Sequence, residues 1–258
     1  MTSVKYWIAE GSKGLRSIQR KGSNSFEALN EPIILDGPYS NSAFDIVCKN
    51  DKVYMIIGGK DLLNGKRFDK GGYILTYDYD KWSFIDPKEA QKKLNLPRNP
   101  RDYTSIAVTT DDSNDEIVYA SSMGDGVIQY KNGTPVQSYN EKNAFKETAG
   151  GYGSGYCYID GLAFDKNGNL WMTSSEVNHA VLVLDKAGAW HRLDIEQLRG
   201  VYTINDILIT STNDKWIYVP RNTPKLVMIP NSESLDEVSS YEFTTLIDTD
   251  GKELTPSN

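Results

Sequence analysis

The sequence predicts an all-β fold, a β-propeller of about five four-stranded antiparallel blades. Three observations lead there: a stretch from Ile159 to Leu193 that spells out four short strands, repeats of its pattern along the chain, and a period of about 50 residues. An ordinary β-sandwich would also supply alternating strands, but the recurrence of one aromatic and one apolar strand in each unit favours the propeller.

The clearest unit reads IDGLAFDKNGNLWMTSSEVNHAVLVLDKAGAWHRL. Ile159, Leu162 and Phe164 make a first strand that ends at Asp165. The Asp-Lys-Asn-Gly run after it is hairpin chemistry, because Asn and Gly tolerate positive φ and Asp bonds its own backbone. Leu170, Trp171 and Met172 return. Ala180 to Leu184 is an apolar, β-branched third strand, and a turn at Asp185 to Gly188 leads to a fourth carrying Trp190 and His191.

Laid over the chain, the unit places an apolar-aromatic pair at Tyr6-Trp7, Val53-Tyr54, Val118-Tyr119, Leu170-Trp171 and Ile217-Tyr218. Each pair is followed by an apolar strand, beginning at Gly14, Gly72, Gly126, Ala180 and Lys225. In unit one, Val4 to Ala9, Gly14 to Gln19 and Ser25 to Leu29 read as second, third and fourth strands, with no innermost strand. The tail after Ile247 offers turn residues and no strand to replace it. The expectation is therefore a piece of a longer chain and of a larger propeller.

Unit two starts near Ser42 with AFDIVCKNDKVYMII, carries a Gly/Lys/Asp-rich loop from Gly58 to Gly71, and continues through Tyr73 to Tyr77 and Trp82 to Ile85. Asp86-Pro87 is an N-cap followed by a first-turn proline, so PKEAQKKL is expected to be a short helix. Unit three runs from Thr104 to Tyr139. A glycine-rich segment, Gly150 to Tyr156, precedes the central unit; it lacks the Gly-Lys-Ser/Thr ending of a phosphate-binding loop. Unit five holds Ile204 to Ile209, Lys215 to Val219, Lys225 to Ile229 and Tyr241 to Ile247, with a helical turn expected in NSESLDEV.

Composition narrows the function. The 258 residues fit one continuous domain, 1–258, and 28 basic against 35 acidic residues give a net charge of −7, which opposes nucleic-acid binding. No apolar run is long enough to span a bilayer, and MTSVKYWIAEG lacks the pattern of a signal peptide. Cys48 and Cys157 fall on inner strands of different units and are read as small buried thiols, with a disulfide possible only if those blades approach closely.

No catalytic, metal or cofactor site is expected. His179 lies in a loop and His191 on an outer strand, neither with a second histidine at ligand spacing. The turn at Asp165 lacks the distal glutamate of a calcium loop, and no G-x-S-x-G elbow occurs, GYGSGYC being the nearest approach.

In a four-stranded meander, second-to-third loops and crossovers share one end. Here these are the long segments: Asn30 to Asn41, Gly58 to Gly71, Pro87 to Asp102 and Asn140 to Gly155. The same end carries Lys60, Arg67, Arg98, Arg101, Tyr152, Tyr156 and Arg221, which suit sugars and anions by stacking and charge-assisted hydrogen bonds.

The Trp-Ile-Ala-x-Gly-Ser-x-Gly-Leu run at Trp7 to Leu15, Gly-Pro-x-Ser-Asn at Gly37 to Asn41, Gly58-Gly59, and the turn from Asp165 to Trp171 resemble the PorZ-like N-terminal propellers of the type IX secretion attachment complex of Bacteroidetes. They also resemble the propeller repeats of two-component regulators. The resemblance implies a non-catalytic periplasmic or cell-surface propeller that binds an anionic glycan, lipopolysaccharide in that family, or a partner protein. Its alternative is a ligand-sensing periplasmic domain of a hybrid two-component sensor, with a propeller lactonase or lyase a more distant reading.

Overall fold

The computed structural model describes residues 5–9, 15–33, 37–62, 64–145, 155–221, 224–247 and 249–254. Strands dominate, and their sheets form a propeller-like array of antiparallel meanders. Strands β1 (Lys5–Ala9), β2 (Leu15–Arg20) and β3 (Phe26–Ala28) make the first sheet. The second contains β4 (Ala43–Lys49), β5 (Lys52–Ile57), β6 (Ile74–Asp78) and β7 (Lys81–Ile85).

Helix α1 (Pro87–Leu94) follows, with Asp86 capping the Lys88 N–H and Asn95 closing it in the left-handed region. The third meander is β8 (Tyr103–Thr110), β9 (Glu116–Gly124), β10 (Gly126–Lys131) and β11 (Thr134–Tyr139). The fourth is β12 (Cys157–Phe164), β13 (Leu170–Ser174), β14 (Val181–Leu184) and β15 (Trp190–Leu193). A short pairing of Cys157 and Tyr158 with Gly124 and Met123 joins these two into one sheet. The fifth comprises β16 (Ile207–Ile209), β17 (Lys215–Val219), β18 (Lys225–Ile229) and β19 (Tyr241–Phe243).

Alternation along each strand sends its two rows of side chains into two different cores. On β9, Val118 and Ala120 pack with Tyr54, Ile56 and Ile74 of the second sheet. Ile117 and Tyr119 of the same strand pack with Leu170, Met172 and Leu182 of the fourth. The fourth and fifth sheets meet through Trp171, Val181 and Val183 against Ile207, Ile217, Val227 and Ile229. Each buried Val, Leu, Ile or Met side chain among these contributes ~1.5–3 kcal/mol on burial, and because they lie between meanders the same burial fixes how one sheet sits on the next.

The second-strand aromatics obey this geometry. The first strands β4, β8 and β12 each carry a bulge, and Ala43, Tyr103 and Ile159 on one side of it pair with Ile57, Ser122 and Ser174. Tyr54, Tyr119 and Trp171 lie three residues before those partners, and all three face the following meander. Tyr218 lies on the face of β17 opposite to Ile217, and Trp7 is exposed on β1. Leu208 is 67% exposed on the face of the fifth sheet that corresponds to the covered faces of its predecessors.

Three readings need correction, and one element was not anticipated. Residues 253–254 do form a strand, β21 (Glu253–Leu254), paired with β20 (Leu246–Ile247), so Leu246 and Ile247 are not part of the fifth meander's outer strand. NSESLDEV forms bends and no helix: Ser232 and Ser234 hydroxyls take the local N–H groups that a helix would need. A 3-10 turn at Glu196–Leu198 had no expectation attached to it. Cys48, read as buried, is exposed, because it lies at the turn end of β4, whereas Cys157 is buried as expected; both are free thiols.

Candidate functional site

The loop between β5 and β6 organises one end of the molecule. It leaves β5 through Gly58 and Gly59, whose φ values are 141° and 91°. A Cβ at Gly58 would strike the Tyr103 backbone, and one at Gly59 would enter the Phe44 ring, so both positions require glycine. The chain then crosses to distant meanders. Lys60 Nζ donates to Asp160 on β12 and, at 2.9 Å, to the Ile204 carbonyl before β16. Asp160 also accepts from Ser175 Oγ at 2.6 Å, and Ser175 Oγ accepts from the Ile204 N–H at 2.8 Å.

Lys60 and Asp160 side chains are only 3% and 2% exposed. Burial pushes the Asp160 carboxyl above its ordinary value, with Lys60 and then Ser175 acting against that shift. The pair pins the loop to the fourth and fifth meanders. Lys60, expected among surface cations, is therefore a buried partner of Asp160 and does not face solvent.

Farther along this loop, Arg67 meets residues from two other segments. A hollow of about 350 Å³ is lined by Arg67, Gln91, Pro97, Arg98, Asn99, Arg101 and Tyr156. The contributing segments are the β5–β6 loop, the stretch from α1 into β8, and the crossover into β12, all second-to-third loops or crossovers at one end. Tyr156 orders the cations: the Arg98 guanidinium carbon lies 4.8 Å from its ring centre and that of Arg67 5.6 Å. Its ring thus supports two arginines, where the sequence had suggested a platform for a sugar.

The three arginines are held differently. Arg98 is committed to Asp125, with Nε and Nη2 both 2.7 Å from Oδ1. Burial works against the Arg98 charge, but Asp125 and then Tyr156 outweigh it and leave the guanidinium above its ordinary value. Asp125 also accepts from the Arg101 backbone N–H at 3.1 Å, fixing that segment. Among the described residues, Arg67 and Arg101 share the far looser carboxylate of Asp69, at 3.3 and 3.8 Å from Oδ1.

Asp102 locks the backbone beneath them. It is fully buried with φ of 47°; its N–H donates to the Lys70 carbonyl and its Oδ1 accepts from the Lys70 N–H. Burial raises its carboxyl, and the Lys70 N–H followed by the Arg67 charge pull it back down. The result is a rigid backbone that presents two loosely engaged guanidinium groups.

Arg67, Arg98, Arg101 and Tyr156 are thus brought together, while Arg221 stands away from this hollow, over the Tyr202 ring at 5.3 Å and beside Gly65. Tyr152 lies outside the described residues. Asp69, Asp125, Gln91 and Asn99 were missed by sequence reading; nothing local distinguishes them from ordinary loop polars. Asp160 did leave a signal, as a lone carboxylate in the otherwise apolar strand CYIDGLAF. Histidine chemistry takes a different form: His191 lies between Asp236 at 2.8 Å and Asp185 at 3.2 Å. Among the described residues, no group of three or more His, Cys, Asp or Glu side chains is arranged to hold a metal.

A second hollow, of about 570 Å³, lies at the opposite end between the third and fourth meanders. Tyr119, Phe164 and Leu184 contribute its apolar wall, and both signs of charge its rim. Two of its lysines are matched by neighbours, Lys131 to Asp111 and Asp115 at 2.8 Å and Lys186 to Asp112 at 3.6 Å.

No protein-family model matches the sequence, and no curated protein is significantly similar to it. Solved structures are. PorZ, a bacterial surface component of the type IX secretion system of Porphyromonas gingivalis, aligns with a TM-score of 0.71 at 20% identity, over 96% of this chain and 33% of that one. An extracellular domain assigned to a hybrid two component system of B. thetaiotaomicron aligns at 0.52 and 16%, over 93% of this chain and 29% of that one. This chain therefore spans about a third of the length of these neighbours. No helix among the described residues is long and apolar enough to cross a membrane. The resemblance read from the blade motifs is present in three dimensions: the chain shares its propeller-like fold with PorZ.

Proposed function

We propose that residues 1–258 are one domain of about five blades belonging to a larger propeller, and that this domain is a non-catalytic binding module of the periplasm or cell surface whose long-loop end takes an anionic glycan. The observation that carries the reading is the convergence of Arg67, Arg98 and Arg101 on one hollow in a chain of net charge −7. A local excess of guanidinium groups in an acidic protein selects for oxyanions and repels other acidic surfaces less than the rest of the molecule does. The exposed face around Leu208 supports the larger propeller, since a further meander would cover it as the earlier ones are covered.

A glycan is favoured over a protein partner because the walls are guanidinium, amide and phenol, with Pro97 the one apolar side chain among the lining residues. Protein interfaces usually anchor on buried apolar side chains, for which this hollow has no pocket. The surface and extracellular settings of PorZ and the two-component domain make lipopolysaccharide the first ligand to try.

The test is binding of purified lipopolysaccharide and of a neutral glucan to wild type and to Arg67→Ala/Arg101→Ala at low ionic strength. Loss of two charge-assisted contacts should weaken lipopolysaccharide binding roughly tenfold or more, with the circular dichroism spectrum unchanged. Equal affinity in the double variant contradicts the reading.

A further inference from the structure

We propose that the hollow is an oxyanion subsite that the protein fills with a carboxylate of its own: Asp69 stands where an acidic substituent of a sugar belongs, and a sugar-borne carboxylate or phosphate displaces it. This deepens the glycan-binding reading and rests on it.

Three features single out Asp69. Its Oδ1 faces Arg67 and Arg101 together, at 3.3 and 3.8 Å. Charge-assisted hydrogen bonds between guanidinium and carboxylate close to ~2.7–2.9 Å when they are fully formed, as Arg98 and Asp125 do at 2.7 Å a few residues away. The same site thus contains one arginine that is spent and two that are held at arm's length by a single oxygen. Among the described residues, Arg101 has no other ion-pair partner.

Asp69 is also free to leave. Its side chain is 59% exposed, so water can take over its solvation when it swings out. Its backbone, by contrast, is fixed. Residue 69 has a φ of 55°, and the next residue is clamped by the reciprocal Lys70–Asp102 hydrogen bonds. A left-handed Asp costs little relative to most residues, and here that conformation places the carboxylate against the two arginines. Displacement therefore needs a side-chain rotation and no movement of the loop.

The geometry fixes the chemistry of the incoming group. Two guanidinium groups from different segments converge on one oxygen, and both present planar forks of donors suited to carboxylate or phosphate oxygens. Arg67 is in addition steadied against the Tyr156 ring, so the site is preorganised for an anion before any ligand arrives. Asp69 supplies one negative charge to two cations. A phosphate monoester supplies nearly two at neutral pH and should compete with Asp69 better than a carboxylate does. A hollow of about 350 Å³ has room for one sugar unit behind that group.

The experiment is calorimetric titration, at low ionic strength, of wild type, Asp69→Asn and Arg67→Ala/Arg101→Ala with glucose 1-phosphate, glucuronate, glucose and inorganic phosphate. Asparagine retains the tolerance for positive φ, so the loop keeps its course. Removing an internal competitor held by exposed ion pairs should tighten both acidic sugars roughly two- to fivefold in Asp69→Asn, with glucose 1-phosphate bound more tightly than glucuronate, and glucose not bound by any form. The double arginine variant should lose both acidic sugars. If wild type binds them through the arginines and Asp69→Asn binds them no more tightly, Asp69 is not a stand-in and the proposal fails while the glycan reading survives. If inorganic phosphate binds as tightly as glucose 1-phosphate, the assignment to a sugar substituent is overturned. If no acidic sugar binds wild type or Asp69→Asn, the glycan reading fails with it.

Discussion

Asp165 collects four donors within its own turn. Oδ1 accepts from the backbone of Asn167 and Asn169, and Oδ2 accepts from Asn169 Nδ2 and Trp171 Nε1, each at 2.9 Å. One carboxylate thereby sets the hairpin and orients the buried indole that packs on the fifth meander, which is why the Asp-Lys-Asn-Gly signal was legible from sequence as a turn. His191 is the residue where pH enters. Its hydrogen bonds to Asp236 and Asp185 raise its affinity for a proton above the ordinary histidine value, against a smaller opposing effect of burial. The folded state therefore binds the proton more tightly than the unfolded chain. Its stabilising contribution is fully present below the unfolded value of ~6.5, and it is lost as pH rises through the higher folded value. Urea denaturation across pH 5.5 to 8.5 should show wild type gaining on His191→Gln as pH falls, with the difference levelling off below about 6.5. A constant difference across that range would mean the two carboxylates do not hold the charged ring.

At the scale of elements, the β5–β6 loop is the part whose role was least legible. Its glycines and charges mark it as a loop, and they gave no sign that Lys60 turns inward, because lysine is almost always exposed and its partner Asp160 lies 100 positions away. Only the fold brings the two together. Helix α1 was legible for the opposite reason: Asp86 and Pro87 are both local signals. Removing one member of a buried ion pair strands the other, at a cost of ~3–5 kcal/mol. Lys60→Met should destabilise by that order in urea denaturation, and Lys60→Met/Asp160→Asn should recover much of the loss, because the asparagine carries no stranded charge and can still accept from Ser175. Failure of the second substitution to recover stability would place the cost in the lysine's packing and not in its charge.

Across the whole molecule, the repeated unit predicts faces better than it predicts burial. Tyr54, Tyr119 and Trp171 share register and direction, yet their sequence counterpart Trp7 is 57% exposed while Trp171 is 1% exposed. The pattern of a strand states which side chains share a face; whether another sheet covers that face is decided elsewhere in the chain. Trp171→Ala should accordingly cost ~3–5 kcal/mol, and Trp7→Ala under ~1 kcal/mol, although both were read as the same position; similar losses in thermal or urea unfolding would show a cover over the first sheet. The same limit applies to the site. Loop lengths placed Arg67, Arg98, Arg101 and Tyr156 at one end, but which arginine is spent on Asp125 and which are loosely held by Asp69 depends on contacts that only the fold supplies. The central claim, that the long-loop end of this scaffold is the binding end, is tested most directly by amide hydrogen exchange with and without purified lipopolysaccharide. The account predicts slowed exchange at residues 66–71, 97–103 and 124–126, around the arginine hollow; protection confined to residues 109–112, 164–170 and 184–187, around the opposite hollow, would contradict it.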